Sequence, residues 1–230
     1  MTSRYAIYFA PEPDSAFEQA GSLCLGRNAR TGWSDEPLPV AGIPKARLQV
    51  INAPPRRYGF HGTLKAPFHL NDQYIEANLV EAIDHLASQI DAFALPPLAV
   101  KCLGNFIALV PQLESSDLRN LAERCVSDLD AFRAPMTDSD RARRNPDRLT
   151  LQQRNNLDRW GYPYVFDEFR FHMTLSGPVE VGEASKLIEA YRIVLEPVLN
   201  MLIQADAITL FVQKEPDQPF SIKQRFPLKT

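Results

Sequence analysis

The sequence predicts an α+β fold built twice over, with two lobes facing one another across a central cleft inside a single domain spanning residues 1–230. Three observations carry this. The balance of 45% hydrophobic and 23% charged residues in 230 is that of a globular chain able to bury a sizeable core. Apolar residues alternate between strand and helix periods along the whole length. And Tyr58-Gly-Phe-His-Gly-Thr-Leu-Lys-Ala-Pro-Phe68 aligns without gaps on Phe169-Arg-Phe-His-Met-Thr-Leu-Ser-Gly-Pro-Val179, at an offset of 111 (172 − 61).

Taken in order, Tyr5 to Ala10 is aromatic and β-branched and reads as a strand, stopped by Pro11-Glu12-Pro13. Ser15 and Glu18 form a capping-box pattern, and a helical stripe runs to Gly26. Residues 27–56, with five prolines, read as loop. Phe60 to Pro67 is a strand, and Leu79, Ile83, Leu86 and Ile90 place a helix over about 75–91. Gly104-Asn105 joins Leu98–Leu103 to Phe106–Val110 as a hairpin. Leu118, Leu121, Cys125, Leu129 and Phe132 mark the next helix. A polar, Arg-rich stretch over 134–168 holds one short helix near 149–160. Phe169 to Leu175 is a strand, 183–203 a helix kinked at Pro197, and 207–212 with 220–226 a closing hairpin. The offset of 111 also carries the helix near 76–90 onto 187–201 and the hairpin near 98 onto 209. The lobe-forming repeats therefore cover about 4–103 and 105–227.

The charge balance and the cysteines limit the function. A net charge of −3 supplies no field for nucleic acid, making a nucleic-acid partner unexpected. Three scattered cysteines, Cys24, Cys102 and Cys125, form no disulfide framework or zinc pattern and fit a reducing cytoplasm. They fall on apolar patterns and are expected in the core. No stretch is apolar and long enough to span a bilayer, so no membrane partner is expected.

In a strand, residues i and i+2 share a face. His61 and Thr63 thus face one way and Phe60, Gly62 and Leu64 the other. The second copy repeats this, with His172 and Thr174 opposite Phe171, Met173 and Leu175. If a pseudo-twofold axis relates the halves, the two polar pairs converge. Such a set suits phosphodiester chemistry: one imidazole takes a proton from the nucleophile and the other gives one to the leaving oxygen. The two hydroxyls bind the non-bridging phosphate oxygens. No metal or cofactor is called for; carboxylate or Cys partners at ligand spacing are missing beside the histidines.

On these motifs the chain resembles the 2H phosphoesterases. The segments Arg57 to Phe68, Trp160 to Val165 and Phe169 to Leu175 resemble a poorly characterised branch associated with phosphonate-utilisation genes. The resemblance spans essentially the whole chain. It implies a bilobal fold with an antiparallel sheet in each lobe, flanked by helices. It also implies metal-independent action on a small cyclic phosphodiester, with His61 and His172 as acid and base and Thr63 and Thr174 on the phosphate. Which histidine is the base does not carry over.

Further candidate substrate contacts are Tyr58, three residues before His61; Lys65, placed by alternation on the face of His61; and Ser176, its counterpart in the second copy. Tyr162 and Tyr164 could stack on a base or sugar, or pin their loop. Between 138 and 160 six Arg meet four Asp, a surplus of +2 (6 − 4), which suits a solvated face or a lid carrying Arg to a second phosphate. His69 and His85 are expected to be structural or at the surface. The first functional expectation is therefore a cyclic phosphodiesterase acting on a small phosphorylated metabolite. Its rivals are an enzyme for RNA 2′,3′-cyclic ends or 2′–5′ linkages, and a non-catalytic module that binds a phosphorylated ligand.

Overall fold

The structure, a computed structural model, describes residues 3–230. In chain order the elements are β1 (Arg4–Phe9), α1 (Ala16–Leu25), α2 (Lys45–Arg56), β2 (Gly62–His69), α3 (Glu76–Ala87), β3 (Phe93–Ala94), β4 (Leu98–Leu103) and β5 (Phe106–Pro111). Then follow α4 (Ser116–Ser127), α5 (Asp138–Ala142), α6 (Leu151–Trp160), β6 (Met173–Thr174), α7 (Val181–Leu199), β7 (Gln204–Ala205), β8 (Ala207–Gln213) and β9 (Ser221–Pro227). Local chemistry sets several ends: Ser15 Oγ accepts the Glu18 amide at the start of α1, and Gly26, at φ 66°, closes it in a left-handed turn.

Seven strands form one antiparallel sheet in the order β4-β5-β6-β2-β1-β8-β9, and β3 pairs with β7 in a small second sheet. The fold is thus α+β, as expected, with the two halves of the large sheet meeting at the seam between β6 and β2. Among the described residues the register pair across that seam is Gly62 with Met173, two positions related by the offset of 111 (173 − 62). A local twofold axis therefore runs between them. Moving outward, β5 matches β1 and β4 matches β8. Residues 98–103 of the first repeat thus extend the half of the sheet that holds β6, while 207–213 of the second extend the half that holds β2. The two repeats exchange their outer strands. Neither repeat alone completes its half of the sheet.

One face of the sheet is covered by α1, α3, α4 and α7 over a core that includes Ile7, Phe9, Leu64, Ile107, Leu109, Phe171, Met173 and Leu175. A small cluster of Ala6, Tyr8, Ala10, Ala29, Phe211 and Phe220 lies apart from it. No helix of the described residues is long and apolar enough to cross a membrane.

Several expectations change here. The strand expected over 169–175 is confined to Met173–Thr174, and the stretch over 134–168 holds α5 as well as α6. Residues 27–56 hold helix α2, whose prolines sit in its last turn. Pro55 has no N–H to return to Ile51, and that free carbonyl accepts the Gly177 amide at 2.7 Å instead. The proline-rich segment thus buttresses the strand that carries His172. A Cβ on Gly177 would lie 2.8 Å from the same oxygen, so Gly177→Ala is expected to destabilise the protein by about 1–3 kcal/mol in urea titration. Cys102, expected in the core, is exposed: it has the parity of the buried Leu98 and Val100, but lies at the turn end of edge strand β4; Cys24 and Cys125 are buried.

Candidate active site

The site is built on the seam. Antiparallel pairing of Gly62 with Met173 sets His61 beside Thr174 and Thr63 beside His172. The four side chains share the face opposite Gly62 and Met173. On such a pair the two histidines are diagonal neighbours, with their Cβ atoms somewhat less than about 7–8 Å apart.

The two rings are held alike. His61 Nδ1 donates to the Gly59 carbonyl at 2.8 Å, and His172 Nδ1 donates to the Arg170 carbonyl, also at 2.8 Å. These carbonyls are again related by the offset of 111. A carbonyl only accepts, so Nδ1 carries the proton in each ring and Nε2 remains for the chemistry. Thr63 Oγ1 lies 3.3 Å from His61 Nε2 and donates to it in the free protein.

The surroundings differ. His61 stacks on Tyr8 with ring centroids 3.9 Å apart and planes at 25°. The position equivalent to Tyr8, opposite Thr174, is Ala108. Among the described residues the ring beside His172 is the tilted Phe106, at 5.7 Å. Burial, more than the nearby charge of His172, lowers the pKa of His61 from 6.5 to about 4, against the raising effect of the Gly59 carbonyl. His61 is therefore neutral at physiological pH, the state a proton acceptor needs. For a His61 acting as the proton acceptor that the motif leads one to expect, the consequence is an acidic limb of kcat/KM near pH 4, below which that nitrogen is protonated; a pH–rate profile measures it. Stability has the same sign. The unfolded chain takes up this proton from about pH 6.5 downward and the folded chain only near 4, so stability falls as pH drops through that window.

Each strand departs from simple alternation just after its threonine. On β2 the register steps between Tyr8 with Thr63 and Ile7 with Lys65, leaving Leu64 as an extra residue. On the second copy the amides of Leu175 and Ser176 both reach the Ile107 carbonyl, at 2.9 and 3.1 Å. These are matching β-bulges, and they overturn the placement expected for Lys65 and Ser176. Lys65 turns into the interior, 3% exposed, where its ammonium bonds Val126 O and Asp130 Oδ1 at 3.0 Å each. Ser176 is fully buried; its Oγ accepts the Ile107 amide at 2.8 Å and donates to Gly177 O at 2.9 Å. Neither faces the site.

Tyr58 does stand by it. Its ring stacks on Phe220 at 5.2 Å and lies 6.0 Å from the His61 ring. Tyr162 and Arg144, from the Arg-rich stretch, come close as well, with the guanidinium 5.1 Å from the Tyr162 ring centroid. Burial raises the phenol pKa values of Tyr8 and Tyr162, keeping both hydroxyls as donors. Tyr164 meets Tyr162 edge to face at 5.6 Å and is largely exposed. Its loop is pinned by Asn156, whose amide donates to Pro163 O and Val165 O, and by Trp160 against Phe166. A cleft of about 250 Å³ shares the Tyr58 wall and is lined by Arg4, His69, Arg133, Asp140, Arg143 and Arg144. His69 therefore borders a cleft, while His85 lies at the surface against Gln89. Among the described residues no three His, Cys, Asp or Glu side chains gather as metal ligands.

Sequence reading missed Tyr8, Phe106 and the Arg4–Arg144 cleft. Tyr8 left one trace: it is an aromatic residue set between Ala6 and Ala10 at period two.

Gly62 is the tightest point of the seam. A Cβ there would meet the Phe171 ring at 2.5 Å, and that ring packs edge-on against Phe9 at 5.8 Å. Gly62→Ala is expected to cost about 1–3 kcal/mol in urea titration and to part the two motifs.

Comparison with known proteins gives three findings. A family model described as "Protein of unknown function (DUF1045)" matches residues 63–221. Two proteins named "Ribose 1,5-bisphosphate phosphokinase PhnN" are similar. That of Janthinobacterium sp. (strain Marseille) is 35% identical over 229 residues, covering 98% of this chain and 51% of the relative. That of Laribacter hongkongensis (strain HLHK9) is 33% identical over 221 residues, covering 95% and 50%. The chain thus spans about half the length of these curated relatives. A solved structure described as "Crystal structure of phosphoesterase" aligns over 99% of each chain at 13% identity, with a TM-score of 0.43.

Proposed function

From the premise that the chain belongs to the DUF1045 family, whose description names no activity, we propose that it is a 2H-type phosphoesterase that opens a small cyclic phosphodiester. The observation that carries this reading is the pair of His-x-Thr motifs set across one twofold seam, each with its Nδ1 tied to the carbonyl two residues earlier.

The reaction needs two proton movements and a place for charge. Water attacks phosphorus as His61 Nε2 takes its proton; the low pKa of His61 keeps that nitrogen available. The P–O bond on the far side breaks, and the protonated His172 Nε2 gives its proton to the departing oxygen. A phosphomonoester and a hydroxyl result, and solvent returns the proton balance between the rings. Thr63 and Thr174 donate to the non-bridging oxygens, where negative charge grows. Assigning the base to His61 goes beyond the sequence and rests on its stacking against Tyr8.

The relatives' name concerns a phosphorylated ribose, and it favours a cyclic phosphate of a pentose in phosphonate metabolism as the substrate class. Their kinase activity is not carried over. This stretch has no Gly-Lys-Ser/Thr triplet with which a phosphate-binding loop would hold a nucleotide.

The test is ³¹P NMR of the protein with a panel of ribose cyclic phosphates in EDTA. One of them is expected to convert to a phosphomonoester that carries ¹⁸O from labelled water. Conversion only after metal is restored, or of none of the panel, would count against the reading.

A further inference from the structure

The 250 Å³ cleft beside Tyr58 has an unbalanced charge. Of its four arginines, two are spoken for. Arg133 is held by Asp130 at 2.8 and 3.0 Å, and Arg143 is paired with Asp140. Arg4 and Arg144 have no carboxylate within ion-pair distance among the described residues. Arg4 is oriented by Gln213 Oε1 at 2.7 Å and lies over Phe220, and Arg144 lies over Tyr162. Both guanidiniums are thus held by neutral partners, which leaves their charge free for a ligand. They also lie close to the catalytic ring. Tyr58 walls the cleft with its ring 6.0 Å from His61, and the fields of Arg4 and Arg144 reach the Tyr8 hydroxyl beneath that ring. A paired, fork-shaped donor next to a second one is the chemistry that holds a phosphomonoester.

We propose that this cleft is a second anion subsite of the same centre: while the phosphodiester lies between His61 and His172, a phosphomonoester at the other end of the same molecule is held by Arg4 and Arg144. The inference rests on the reading above and narrows it. The substrate is a small sugar bearing two phosphates, one cyclic and one terminal. Distance along the molecule then sets which phosphate is cut.

Calorimetric titration with ribose 5-phosphate isolates the subsite, because this probe has no phosphodiester for the histidines. Ribose 5-phosphate is expected to bind the wild-type protein and the His61→Ala/His172→Ala double variant alike, and ribose not at all. Arg144→Gln is expected to weaken binding about tenfold or more. Arg144 is exposed and in no ion pair, so its loss leaves folding intact. Arg4→Gln is the independent second variant, with the same expected loss. Binding that survives both arginine changes but vanishes with the histidines would overturn the proposal, as would absence of binding at millimolar concentration. If the probe binds as expected while no cyclic phosphodiester is turned over, the subsite stands and the enzymatic reading falls.

Discussion

Alanine at His172 or at His61 is expected to lower kcat on the cyclic phosphodiester by about a hundred- to ten-thousandfold, with KM changed only a few-fold. Proton transfer is needed only as the P–O bonds form and break, so its loss is felt in the transition state more than in binding. The double variant is expected to be little worse than the slower single variant, because the two rings serve one concerted event. The pH profiles separate the roles. His61→Ala is expected to remove the acidic limb near pH 4, whereas His172→Ala leaves that limb in place on a much lower rate. Steady-state kinetics in EDTA measures all of this. Wild-type turnover in either single variant would eliminate the acid–base pair, and a change confined to KM would make the histidines substrate-binding groups in place of proton carriers.

The second large effect concerns stability. Asp130→Ala is expected to destabilise the protein by about 3 kcal/mol, because it strands the buried Lys65 ammonium and frees Arg133. In a chain of this size that is a drop of about 6–12 °C in Tm. Lys65→Met is expected to cost far less, within about 1 kcal/mol. It removes the buried charge together with its desolvation penalty, and Asp130 keeps Arg133. Lys65→Met is also expected to retain phosphodiesterase activity, since the bulge turns residue 65 away from the histidines. Denaturant melts give the first pair of results, and a single activity assay gives the other. A thousandfold loss of activity in Lys65→Met would restore Lys65 to the phosphate site.

Lys65 and Ser176 also show where sequence reasoning stops. Period-two alternation placed His61 with Thr63 and His172 with Thr174, and the structure has each pair on one face of its strand. The same rule carried two residues further fails at both copies. An inserted residue opposite Ile7, and another opposite Ile107, shifts the next side chains by one, and β2 steps again between Ile7 and Tyr5. A bulge is a property of two strands together, so neither β2 nor β6 announces it alone. Helix α2 was hidden for a related reason. Its prolines occupy a last turn whose freed carbonyl is satisfied by Gly177, more than a hundred residues away in the chain.

Local patterning and the repeat at 111 residues were enough to read an α+β chain of two equivalent halves and to single out the two His-x-Thr motifs. Side-chain period and self-similarity are written in the residues themselves. The seam at Gly62 and Met173, the exchange of β4 and β8, the burial of His61 against Tyr8 and the arginine cleft are not legible there. Each depends on which distant strand or loop comes to lie alongside, and that is settled by packing the whole sheet over its helices. The chemistry of the motifs is therefore inscribed locally, while the difference between the two histidines is a product of the assembled fold.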